Sequence, residues 1–255
     1  ADEESTMVGC KGMAGTASMH PSAYATSNGD PIDINLERIG GHWPSLPSAA
    51  RSDSAVAAFL ELHVEQGAVL EQRRDAIGIV EGIVGQRRFS IHVKGQANHA
   101  GTTPMGLRHD ALAAASRIVL AVEEMARCHP GDPVATVGRL EVWPNAANVV
   151  PGSVSMTVDI RDLDPAVLEQ LVSCLQDELE SIGLETGCAI QLEPQFQVAP
   201  TPADALVMAT IETVAEDFGL SMSRLPSRAS HDAQEIGRRW PMGMIFVPSR
   251  EGLSH

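Results

Sequence analysis

Histidines and carboxylates in a few short motifs carry most of the reactive potential of this 255-residue sequence, which has nine His and a single Tyr. Asp2-Glu3-Glu4 sets three carboxylates side by side. Such neighbours repel, so in a loop they are either solvated or divided between two tasks, one binding a metal while the next takes a proton from the water it activates. His63-Val64-Glu65-Gln66-Gly67 ends an apolar run on an imidazole, which is either a half-buried structural group or a ligand. Asn98-His99-Ala100-Gly101-Thr102-Thr103-Pro104-Met105 is a polar loop whose small residues suit close approach to a ligand. Asn148 and Arg161 bracket a strand-like run. The Arg is either an exposed ion-pair partner of Asp162 or a fork that reads a substrate carboxylate. Ser230-His231-Asp232 and Ser249-Arg250-Glu251-Gly252-Leu253-Ser254-His255 complete the set.

The elements that must hold these residues follow from periodicity and punctuation. A loop and a short helix occupy 1–23, and turn signals at Ser27-Asn28-Gly29-Asp30-Pro31 and Gly40-Gly41 make 24–53 a connection. The run 55–66 is a strand or a short helix. Residues 83–93 alternate as a strand, 107–127 have helical spacing, and 134–142 and 149–160 read as strands. Asp164-Pro165 opens a helix to about 182, and 189–197 adds a fourth strand. The order β-α-β-β-α-β is the split βαβ, or ferredoxin-like, unit. A helix over 203–218 and a buried strand over 242–247 belong to a different α/β layer, which that lobe interrupts. The expected division is 1–82, 83–198 and 199–255.

Composition narrows the function. Apolar residues make up 44% of the chain and charged residues 20%, enough to build a core rather than a disordered segment. A formal charge of −15 repels a phosphate backbone, which argues against a nucleic-acid partner. No run of about 18 uncharged apolar residues is present to span a bilayer, so no membrane partner is expected. The first residues lack a signal-peptide pattern, and on that ground a cytoplasmic location is expected. Cys10, Cys128, Cys174 and Cys188 are too scattered for a zinc knuckle and read as reduced thiols.

Taken in order, these motifs resemble those of the N-carbamoyl-L-amino-acid hydrolases, β-ureidopropionases and allantoate amidohydrolases. The most specific stretches are Leu60–Gly67, Gly95–Met105 and Phe246–His255. The resemblance implies a metallopeptidase-like α/β catalytic domain, partial here, interrupted by the ferredoxin-like βαββαβ lobe acting in dimerisation. It implies a homodimer, two divalent metal ions (Zn²⁺ or Mn²⁺) in the complete protein, and a small carboxylate-bearing carbamoyl or ureido substrate. By the same resemblance Glu3 is the general base, while Glu4 and His255 bind one metal and His63 the other. Gln66 and His231 face the substrate, with His231 polarising the carbamoyl oxygen. Asn148 and Arg161 hold the substrate carboxylate, and His99 is lent to the partner's site.

The sequence also departs from that family. A further His and a bridging Asp are usual upstream of the Glu pair, and the family continues beyond the last His. These residues are therefore expected to be an internal piece of a longer protein. Ser5-Thr6-Met7 stands where Gly-x-Arg-Phe is frequent, and Arg228-Ala229-Ser230 precedes His231 where glycines are common. The rival expectations are a related metallo-dipeptidase or aminoacylase, and a dimerisation fragment without catalytic competence.

Overall fold

Asp110, Asp164 and Asp204 each sit in extended backbone and accept hydrogen bonds from the N–H groups of the turn that follows, so three long helices start at capping aspartates. The structure is a computed structural model, and it describes residues 7–24 and 30–253. Before the first sheet come α1 (Val8–Ala14) and α2 (Ile32–Arg38). Next are β1 (Phe59–Val64), α3 (Val69–Arg73), β2 (Ile77–Ile83), β3 (Gly85–Lys94), β4 (Asn98–His99) and α4 (Ala111–Arg127). The middle holds β5 (Val134–Trp143), β6 (Val149–Val150), β7 (Ser153–Asp162), α5 (Pro165–Thr186) and β8 (Ala189–Val198). The chain then forms β9 (Thr201–Pro202), α6 (Ala205–Asp217), β10 (Met222–Ser227), α7 (Asp232–Ile236) and β11 (Met242–Val247).

Two compact units result. One ends at Ile83 and resumes at Thr201; the other is Val84–Pro200. In the first, the sheet order is β1-β11-β2-β10, with β9 pairing β2. β1 runs parallel to β11, and β2 antiparallel to it. Leu70, Val80, Met242, Met244 and Phe246 form its core, each at most 1% exposed. In the second unit the four-stranded order is β5-β7-β3-β8, antiparallel throughout. Even-numbered β7 residues from Val154 to Ile160 are buried with α4 and α5, while the odd ones face away. A separate two-stranded pairing joins β4 to β6.

Several boundaries differ from the sequence expectation, for physical reasons. The alternating run expected to begin at residue 83 is two strands: Ile83 ends β2, paired with Thr201 and Ser227, and the chain crosses to β3 without a turn residue to mark it. The connection over 24–53 contains α2, because its turn signals flank a seven-residue helix rather than forming one continuous loop. Pro151-Gly152 splits the expected 149–160 strand into β6 and β7. Gly187, at φ 66°, extends α5 to Thr186 and then stops it. Among the described residues no helix is long and apolar enough to cross a membrane.

Candidate active site

In the first unit, His63 is the penultimate residue of β1 and lies opposite Phe246, where the carboxyl ends of two parallel strands lie together. Ligands in open α/β sheets collect at such ends. The His63 ring lies 2.8 Å by Nδ1 from the Val64 carbonyl oxygen. That contact requires Nδ1–H as donor and leaves Nε2 with its lone pair, the tautomer of a metal-ligating imidazole. Glu65, almost fully buried, accepts from the N–H groups of Val69 and Leu70, both at 2.8 Å, and so fixes the start of α3. Gln66 is held between them at φ 59°, in the left-handed region that a residue with a side chain seldom adopts. A Cβ at Gly67 would stand 2.7 Å from the Glu65 carboxylate, so a side chain here would have to displace that carboxylate from the N–H groups of Val69 and Leu70.

His231 comes to the same place from the loop before α7. Its ring is edge-on to that of His63, with centroids 4.6 Å apart, and 5.7 Å from that of Phe246. The side chain is 2% exposed, and its Nδ1 lies 3.6 Å from the Glu61 carboxylate. Its Nε2 is buried with no hydrogen-bond partner among the described residues. Burial raises the Glu61 carboxyl, but the His231 ring and the Ala233 N–H outweigh it and hold the carboxyl below its ordinary range. Ser249 donates to the Gly67 carbonyl at 3.0 Å, which fastens the closing motif of the sequence beside the His63 loop.

The second unit carries the remaining expected residues at two separate places. His99 and Asn148 are adjacent: His99 pairs with Val149 across β4 and β6, and the Ala100 N–H donates to the Asn148 carbonyl at 2.9 Å. The N–H groups of Gly101 and Thr102 both donate to His99 Nδ1, at 3.0 and 3.2 Å. The ring proton is therefore on Nε2, on an exposed side chain. Arg108 braces this loop through the carbonyls of Thr103 and Ala100.

Arg161 stands at the far end of β7. The Asn148 loop joins the sheet where Gly152 bonds to Trp143 and Gly95, beside Ser153, and Ser153 to Arg161 is roughly 25 Å of strand. Arg161 and Arg88 share the Asp159 carboxylate, at 2.7 and 2.8 Å, with Gln86 as a third donor. Burial opposes ionisation of Asp159, yet these donors, Arg161 foremost, hold its carboxyl below the usual value. Within one chain, then, the structure joins His63 and His231, with Gln66 three residues along the His63 loop, joins His99 and Asn148, and sets Arg161 apart from Asn148.

Glu3, Glu4 and His255 lie outside the described residues. Among the described residues no three His, Cys, Asp or Glu side chains converge as a metal site. Reading the sequence missed Glu61, Arg108, Asp159 and Arg88. Of these, Glu61 had a signal: it is two residues before His63 on a strand and so shares its face.

The profile of peptidase family M20/M25/M40 matches residues 1–255, and the chain belongs to that family. It is 38% identical over 251 residues to the N-carbamoyl-L-amino acid amidohydrolase of Geobacillus stearothermophilus, covering 98% of this chain and 61% of that protein. It is 42% identical over 221 residues to the allantoate amidohydrolase of Escherichia coli K12, covering 86% and 53%. The solved amidase of the hydantoinase/carbamoylase family from Burkholderia multivorans superposes with a TM-score of 0.89 at 38% identity, covering 98% of this chain and 60% of that one. The chain thus spans between half and two thirds of the length of these relatives.

Proposed function

We propose that the protein carrying this chain is a metal-dependent amidohydrolase, which removes the carbamoyl group of an N-carbamoyl-L-amino acid or hydrolyses allantoate. The observation that carries this reading is the pairing of His63, whose Nε2 is left as an acceptor, with the buried Nε2 of His231, which has no partner among the described residues. The names of the relatives supply the substrate class.

The donor chemistry fits a divalent cation: imidazole and carboxylate groups suit Zn²⁺ or Mn²⁺. His63 would hold one ion, and Glu4 and His255 would hold the other. Two such ions, when bound, supply Lewis acidity at a carbonyl that is otherwise a poor electrophile. Glu3 accepts the proton of the attacking water and returns it to the departing nitrogen. Gln66, on its strained backbone, and His231 face the scissile group. Arg161, oriented by Asp159, takes the substrate carboxylate as a fork.

The separation inside the second unit adds a composite site to this reading. His99 and Asn148, adjacent to each other and remote from Arg161, reach a site from a different chain than Arg161 does. Support for a homodimer comes from β5, a proline-free edge strand that leaves Leu140 41% exposed; the opposite edge, β8, carries Pro194.

The test is ammonia release by the full-length gene product loaded with Mn²⁺ or Zn²⁺, supplied with a panel of N-carbamoyl-L-amino acids and with allantoate. Turnover that Glu3→Gln abolishes while metal stays bound supports the reading. No turnover of any of these substrates overturns it, and cleavage of a blocked dipeptide alone replaces it with a peptidase.

A further inference from the structure

We infer that Arg88 is a positioning residue for Arg161: with Gln86 it holds one oxygen of Asp159, so that Asp159 steers the Arg161 guanidinium without neutralising it. The inference rests on the reading of Arg161 as the fork for the substrate carboxylate, and it makes Arg88 a determinant of affinity for that carboxylate.

Four residues form a square on one face of the second unit's sheet. Across β3 and β7, Arg88 lies directly opposite Asp159 and Gln86 opposite Arg161, so the period of two puts all four side chains on the same side. The intervening Arg87 points the other way, to Glu169 on α5 at 2.8 Å.

Asp159 is divided unevenly among its neighbours. Its Oδ2 accepts from Arg88 Nε at 3.0 Å and Nη2 at 2.8 Å, and also from Gln86. Its Oδ1 accepts from Arg161 Nε at 2.7 Å, while Arg161 Nη2 stands off from Oδ2 at 3.5 Å. An Arg–carboxylate pair left to itself makes two parallel short bonds. Here one is short and the other long, because the oxygen that would complete the fork already receives Arg88 and Gln86. Asp159 therefore aims Arg161 by its Nε edge, and the edge between the two terminal nitrogens is not the one it occupies.

Charge points the same way. Two guanidiniums share one carboxylate, which leaves a positive charge that Asp159 does not balance. A structural ion pair needs one arginine, and a second on the same carboxylate adds repulsion that a further anion relieves. In a chain of formal charge −15, that local excess attracts a carboxylate which the molecule as a whole repels. Arg88 is itself held over the Phe196 ring, 5.7 Å from its centroid, at the bulge where β3 and β8 shift register.

The experiment compares wild type, Arg88→Gln and Arg88→Lys in the full-length gene product loaded with Mn²⁺, reading ammonia release from an N-carbamoyl-L-amino acid and from its carboxamide. Arg88→Gln is expected to raise KM for the acid about tenfold with kcat within about twofold, and to leave KM for the carboxamide unchanged. Arg88→Lys, which keeps the charge but cannot span both contacts to Asp159, should show part of that loss, and it serves if Arg88→Gln does not fold. A second measurement needs no turnover: the Arg161 Nε–H signal in ¹⁵N-arginine spectra of the 255-residue chain, assigned by its loss in Arg161→Lys, is followed as N-carbamoylglycine is added. It should shift with the acid and not with the carboxamide, and the acid should bind several-fold more weakly to Arg88→Gln. Unchanged acid affinity in the Arg88 variants, or a loss equal for acid and carboxamide, overturns the inference and leaves the reading of Arg161 in place. No shift of the wild-type Arg161 signal overturns that reading and the inference with it, whereas a shift without turnover of any substrate overturns the hydrolase reading alone.

Discussion

The Ser249 hydroxyl donates to the Gly67 carbonyl at 3.0 Å, joining two motifs that lie at opposite ends of the first unit's sequence. The join is reinforced where the Glu251 N–H donates to Glu71 at 2.8 Å, and where Gly252, at φ 72°, passes close to Gly67. Ser249→Ala is expected to lower the unfolding free energy by about 1 kcal/mol, the worth of one such bond. Urea denaturation should show a lower midpoint with an unchanged slope. An unaltered midpoint would mean that the two motifs are held together by other contacts.

Glu65 is the residue of the His63 motif whose work is structural. It satisfies two N–H groups at the start of α3 from a site only 9% exposed. Glu65→Ala strands both donors and is expected to cost about 2 kcal/mol. Glu65→Gln, which keeps one acceptor oxygen, should cost less. Equal midpoints for the two variants would contradict this account.

Much of the second unit was legible in the sequence because its signals are local. Asp164 announces its helix by capping, whereas the cap at Asp110 was not read and the helix it opens was expected from residue 107; the alternation of Val154, Met156, Val158 and Ile160 announces which face of β7 is buried. The first unit was less legible. β10 and α7 are short and have no clean period, and the step from β2 to β3 lies inside one apolar run. The loops at His63 and His99 showed as motifs, but their tautomers depend on backbone contacts that only the fold makes. The contact of His63 with His231 is long-range, and no periodicity encodes it. The remoteness of Arg161 from Asn148 was readable, since the expected strand over 149–160 lies between them whether or not Pro151-Gly152 breaks it.

Asp159 gives the fold a pH dependence of definite sign. Burial resists its charge, and the hydrogen bonds from Arg161, Arg88 and Gln86 overcome that resistance, so the folded carboxyl titrates below its unfolded value. Its contribution is fully present above the unfolded value near pH ~4 and is lost as pH falls through the folded one. Asp159→Asn should therefore destabilise the protein at pH 7, by about 2 kcal/mol for the loss of charge-assisted bonds. The difference from wild type should shrink as the pH drops below about 4. A gap that stays constant between pH 7 and 3 would show that the charge is not what stabilises.

Cys10 should be the unreactive thiol. Burial, the Asp232 carboxylate beside it and the charges of Glu61 and Glu235 push it from 9.0 up to about 12. Its thiolate fraction is then about a thousandfold below that of an ordinary cysteine. With iodoacetamide at pH 8, exposed Cys128 should be alkylated well before Cys10, even though Glu124 raises Cys128 as well. Asp232→Asn removes one of the causes and should speed labelling at Cys10. Peptide mapping by mass spectrometry reads both, and early modification of Cys10 would contradict the half-buried, carboxylate-facing geometry.

The composite site proposed above makes the most demanding prediction. His99 and Asn148 sit together, while Arg161 is at the other end of the sheet, so a dimer that uses all three must draw them from two chains. In the full-length gene product, His99→Ala should lower kcat and Arg161→Ala should raise KM, each by 10²-fold or more on the order expected for a lost charge-assisted contact. Mixed, unfolded and refolded together, the two variants form heterodimers in which one site receives both lesions and the other none. Random pairing makes half the dimers mixed, with one intact site of two, so activity should recover to about a quarter of wild type. Asn148→Ala should complement Arg161→Ala in the same way and should fail to complement His99→Ala. No recovery in either mixture with Arg161→Ala would mean that all three residues reach a site from one chain, and recovery in the His99 and Asn148 mixture would mean that those two come from different chains.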